Sequence, residues 1–172
     1  VYVFFSLYLD SLGYNKVWIG LLWAVSVVVE IVWFFTQAKW MPKVPLTGWL
    51  VVCSAAMTLR MGVTAQWADV LWVLLLAQAL HALTFAANHT VCIALLSHHF
   101  PGRLRGRGQA LYTVIAYGFP GVLGGLAGGV MSDRFGLQSV YWVSTLTAAM
   151  ATLAAYKVWR LQHPLKDSTQ AP

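Results

Sequence analysis

The sequence predicts an all-α integral membrane protein, a six-helix transmembrane bundle, and three observations carry that expectation. Hydrophobic residues make up 59% of the 172-residue chain and charged ones only 9%, where an ordinary soluble domain carries about 25% charged residues. Mean hydropathy is +0.68. The apolar residues gather in runs of about 20, the length that crosses a bilayer, and short segments rich in Pro, Gly and charge separate them. The net charge of +6 lies mostly in those short segments. That distribution marks membrane topology and argues against a nucleic-acid partner.

Taken in order, the runs place complete spans over 17–38, 46–65, 68–97, 110–132 and 139–159. Breaks fall at Met41 to Pro45, Gly62 to Trp67, Pro101-Gly102 and Asp133 to Gly136. Ahead of them, Val1 to Leu9 makes about half a span and the chain opens on Val, so the first helix reads as truncated. It lacks the basic n-region and small-residue cleavage site of a signal peptide. Residues 1–160 therefore form one bundle, and 161–172 read as a short disordered cytoplasmic tail.

Alternating sides across these spans groups Lys39, Lys43, Arg103, Arg105, Arg107, Lys157, Arg160 and Lys166 on one face, against Lys16 and Arg134 on the other. By the positive-inside rule the first group is cytoplasmic, with the C-terminus inside and the chain in the cell inner membrane as a multi-pass protein. The acids Asp10, Asp69 and Asp133 share the outer side. Cys53 and Cys92 lie within apolar runs without metal-ligand spacing, so they read as packing residues and imply no metal or disulfide.

Chemistry enters with polar residues inside the spans. Glu30 is the only charge between Lys16 and Lys39, and a carboxylate at that depth costs a few kcal/mol on insertion scales. Such a residue marks an ion or solute pathway by default. At about 100° per residue, Glu30 shares a helix face with Trp23, Ser26, Phe34 and Gln37, and Trp33 stands beside them. In the span after Trp67, Gln78, His81, Asn88 and Cys92 recur on one face with Thr84 and Phe85 flanking it, whereas His89 points some 80° away. Arg60 lies about two turns from the outer end of its span. Its guanidinium either snorkels outward or turns in to pair with Glu30 or fork onto a substrate carboxylate. Gly121, Gly124, Gly125, Gly128 and Gly129 form small-residue pairs that admit a close helix neighbour, and Pro120 loosens the same span.

The ordered set of a central Glu30, then Met57-Thr-Leu-Arg60, then Leu80-His81-Ala-Leu-Thr-Phe85, then Gly106-Arg-Gly-Gln-Ala-Leu-Tyr112 and Gly128 to Gly136, resembles the C-terminal half of a major facilitator superfamily permease. The resemblance is nearest to the phenylpropionate permease family, itself similar to lactose permease. It covers residues 1 to about 160 as helices seven to twelve. It implies that Glu30 matches a substrate-contacting acid of helix eight, Arg60 the arginine of helix nine and His81 the histidine of helix ten. Lactose permease carries a second carboxylate one turn after its histidine, where this chain has Thr84. That departure makes Glu30 the leading candidate to take the proton.

The expectation is thus one half of a proton-coupled symporter of a small organic solute, with no cofactor and no enzymatic activity, working by alternating access around a midplane site. Its partners are the lipid bilayer, the substrate and proton, and an N-terminal six-helix half. The site set is Glu30, Arg60, His81, Asn88, Trp23, Trp33, Phe85 and Gln78. The aromatic wall and the cation favour an aromatic or other monocarboxylate, with a sugar or nucleoside as the alternative. A haem-binding subunit using His81 and His89 and a non-transporting scaffold are the rivals from other classes.

Overall fold

The computed structural model describes residues 2–162. The expected tail lies outside them from residue 163 onward. The described chain is built of helical rods. The short α1, Tyr2–Ser11, leads by a turn into α2, Lys16–Trp40, whose first turn is capped by Asn15: its Oδ1 accepts from the Trp18 amide at 3.0 Å. A tight turn over Met41–Lys43 precedes α3, Leu46–Trp67. The next rod is α4, Leu71–Ala79, a π-helical turn over Ala82–Ala87, and α5, Asn88–His99. The fifth repeats the pattern with α6, Arg105–Thr113, a π turn over Val114–Gly118, and α7, Phe119–Phe135. Helix α8, Leu137–Gln162, completes six rods among the described residues.

Two boundaries depart from the sequence reading. The break expected at Gly62 to Trp67 is helical, and the chain turns instead at Ala68 to Val70. Gly62 stays in α3 because α8 runs close beside it: a Cβ there would touch Thr145 Cγ2 at 3.5 Å. Near Asp133, α7 continues to Phe135, and a single residue, Gly136 at φ +79°, turns the chain into α8. A side chain would strain that backbone, which glycine adopts freely.

Four rods are long and apolar enough to cross a membrane, Lys16–Lys43, Leu46–Trp67, Leu71–His99 and Gly102–Phe135. The fifth expected span, 139–159, has the length in α8 but not the same apolarity, because Ser144, Thr145, Thr147 and Thr152 dilute it. Each of those hydroxyls donates to the carbonyl four residues earlier, at 2.7 to 3.0 Å. Thr152 also meets Thr58 Oγ1 at 3.1 Å, a polar contact within the most extensive helix pair, α3 with α8.

The interior is layered. One apolar cluster joins Phe5, Leu9, Leu22, Met61, Leu74 and Tyr141, and the other joins Trp33, Trp49, Cys53, Ala86, Ala87 and Val91. Between them along α2, α3 and the α4–α5 rod lie the buried polar groups Ser26, Arg60, Gln78 and His81. This polar layer sits well inside the rods: Glu30 follows Lys16 by 14 residues, about 21 Å at 1.5 Å per residue. The outer faces differ. Only 17% of the α2 span and 6% of the α6–α7 span are buried within the chain, so both rods present long apolar faces to lipid or a partner.

Candidate functional site

Arg60 anchors the polar layer. It is 7% exposed, and its guanidinium turns inward instead of snorkelling. Nη2 donates to Gln78 Oε1 at 2.8 Å, and Nη1 donates to Thr84 Oγ1 at 3.0 Å and lies 2.9 Å from His81 Nδ1. Arg60 therefore meets Glu30 through His81, since His81 Nε2 lies 3.6 Å from Glu30 Oε2. A guanidinium has donors only. Nδ1 must then accept, and the imidazole is the neutral tautomer with its hydrogen on Nε2, aimed at the carboxylate. The separation of 3.6 Å exceeds a good hydrogen bond, so the Glu30 link is looser than the contacts of 2.8 to 3.0 Å on the Arg60 side.

The π turn over Ala82–Ala87 explains how one rod supplies so many of these groups. Widening a turn by one residue slows the rotation of side chains around the axis. Thr84 then comes under Arg60, and the rings of His81, Phe85 and His89 stack in file. Phe85 is 5.3 Å from His81 with an 8° interplanar angle, and 6.2 Å from His89 with an 11° angle. The 80° divergence expected for His89 is therefore corrected: it assumed an uninterrupted α-helix. The second π turn, over Val114–Gly118, ends just before Pro120, whose ring would clash with the carbonyl of Ala116 in a regular helix. It carries Tyr117, and Tyr117 Oη lies 3.3 Å from His89 Nδ1 and 3.2 Å from Tyr112 Oη.

Of the eight site residues read from the sequence, the structure joins Glu30, Arg60, Gln78, His81 and Phe85 in one contiguous set. Trp23 stands beside it, lining a cavity of about 40 Å³ with Arg60, Gln78 and Tyr141. Its Nε1 donates to Ser6 Oγ at 3.1 Å and its ring meets Phe5 edge-on at 5.5 Å. Trp33 lies elsewhere, 8% exposed and edge-on to Trp49 at 5.5 Å in the second apolar cluster. Asn88 opens α5 beyond the π turn, half-buried and outside the hydrogen-bonded set. Sequence spacing missed Thr84 as a partner of Arg60, and missed His89, Tyr112 and Tyr117. Pro120 was the signal available for the second π turn.

Lipid-length rods enclosing a layer of buried polar groups define a multi-pass membrane protein. Comparison with known proteins places it further. The profile of the MFS_1 like family matches residues 1–143, and the chain belongs to that family of major facilitator superfamily permeases. It is similar to the Probable 3-phenylpropionic acid transporter of Escherichia coli (strain K12), 26% identical over 157 residues. That match covers 91% of this chain and 41% of the relative, so the chain spans under half of the relative's length. No solved structure matches the chain.

Proposed function

We propose that the chain acts as the C-terminal six-helix half of a proton-coupled importer of a small aromatic monocarboxylate in the cell inner membrane, with its C-terminus cytoplasmic. The observation that carries this reading is the relay from Arg60 through His81 to Glu30, which crosses three rods inside the polar layer. Glu30 is the proton carrier. As a carboxylate it faces the Nε2–H of His81 and offsets the buried charge of Arg60; once protonated it releases that pairing and frees the layer to rearrange. Intramembrane acids joined to a histidine in this manner serve proton relays. The name of the similar transporter supports an aryl acid as substrate, and the exposed faces of α2 and of α6–α7 supply the surface on which an N-terminal half closes the site.

The haem reading finds no support in the geometry. His81 has Arg60 and Glu30 on its two nitrogens, and the ring of Phe85 fills the space between the two histidines. The test of the proposal is uptake of 3-phenylpropionate by the full-length parent in membrane vesicles, with and without an imposed proton gradient. Accumulation above equilibrium only with the gradient supports it. Gradient-independent equilibration refutes proton coupling, and absence of uptake refutes the substrate class.

A further inference from the structure

The relay uses one side of the ring ladder and leaves the other side free. Phe85 lies between two imidazoles, His81 and His89, and His89 continues into Tyr117 and Tyr112 through contacts of 3.3 and 3.2 Å. The hydroxyl of Tyr112 can donate to Tyr117, and that of Tyr117 to His89 Nδ1. The hydrogen of His89 then sits on Nε2, an atom with no hydrogen-bond partner among the described residues. Tyr117 is 41% exposed, and His89, Tyr112 and Phe85 are half-buried, so the cluster opens outward from the rods. Two π turns on adjacent rods deliver these side chains to one place, and such turns recur at functional sites.

Arg60, by contrast, is 7% exposed and bonded to Gln78, Thr84 and His81. A substrate carboxylate that reached it would have to displace those partners. We infer that His89, oriented by Tyr117 and Tyr112, is the subsite for the substrate's carboxylate, and that the edge of Phe85, whose two faces are taken by the imidazoles, meets its aryl ring. The inference rests on the arylcarboxylate reading above. Neutral donors suit this task. A carboxylate has about four acceptor positions for such donors, and the Tyr112–Tyr117–His89 chain polarises toward an anion placed at its end. The arrangement also links anion and proton: an ionised Glu30 repels a carboxylate bound along the same ladder, and a protonated Glu30 does not.

The test uses the full-length transporter in vesicles, with 3-phenylpropionate as substrate and its primary amide as competitor. His89→Ala should raise the half-saturation concentration for the acid about tenfold, the scale set by one hydrogen bond to a charged group. Competition by the amide, whose carbonyl accepts the same hydrogen bond without a charge, should weaken by less, about threefold, whereas a general structural loss would weaken both equally. Tyr117→Phe should show the same selective loss at about threefold, since it removes the orienting hydroxyl and keeps the ring. Phe85→Ala should weaken 3-phenylpropionate and leave propionate unchanged. Unaltered acid affinity in His89→Ala, or equal losses for acid and amide, would overturn the assignment while leaving the transport reading intact. Failure of the unaltered transporter to take up 3-phenylpropionate would overturn both.

Discussion

Nη1 of Arg60 stands 2.9 Å from Nδ1 of His81, which makes the imidazole an acceptor on that side and sends its hydrogen toward Glu30. One contact thus sets the direction of the relay. It also explains how a guanidinium is kept in the interior: three acceptors on the α4–α5 rod, Gln78 Oε1, His81 Nδ1 and Thr84 Oγ1, hold it in place.

Arg60→Lys should therefore fail nearly as badly as Arg60→Ala. An ammonium is a compact point charge and cannot span acceptors that a planar fork reaches at once. The partners left unsatisfied each cost about 1–3 kcal/mol when buried. Gradient-driven uptake should fall below a tenth of the unaltered level in both variants, checked against equal amounts of protein in the membrane. Lysine that restores transport would make Arg60 a simple charge.

A second expectation concerns packing. A Cβ on Gly128 would meet Phe4 Cε2 at 2.6 Å, whereas one on Gly125 meets nothing within 4 Å. Gly128→Leu should lower the melting temperature of the detergent-solubilised chain, overpacking costing about 1–3 kcal/mol, and Phe4→Ala should recover part of the loss. Gly125→Leu should leave it unchanged. Equal melting of both leucine variants would contradict the close approach of α1 to α7.

Glu30, Arg60, Gln78 and His81 were legible in the sequence because charge and amide groups inside apolar runs stand out against helical spacing. The ladder beyond Phe85 was not. A rotation of 100° per residue holds only in an unbroken α-helix, and the π turn over Ala82–Ala87 has no proline or glycine to announce it. Trp33 stands apart from the relay for another reason: it neighbours Glu30 around the helix, yet its ring reaches Trp49 on α3, a choice made by tertiary packing. The turn beyond α3 was misplaced because Gly62 breaks helices in water but serves close packing against α8.

Sidedness yields a third expectation. In a background lacking Cys53 and Cys92, single cysteines at Ser11 and Asp133, both exposed, should react with an impermeant maleimide in intact cells. A cysteine at Arg103, exposed in the arginine-rich turn between α5 and α6, should react only after the membrane is opened. Labelling of position 103 in intact cells would invert the orientation.

Glu30→Gln in the full-length protein tests most directly whether Glu30 carries the coupled proton. Glutamine keeps the size and hydrogen-bonding capacity of a protonated glutamate but cannot release a proton. The measurement is 3-phenylpropionate flux in vesicles, read as gradient-driven accumulation and as exchange between equal concentrations on the two sides. Accumulation should fall by a factor of about ten or more, the loss of at least one proton-linked 1.4 kcal/mol step, while exchange persists at a comparable rate. Accumulation at the unaltered level in Glu30→Gln would contradict that role for Glu30.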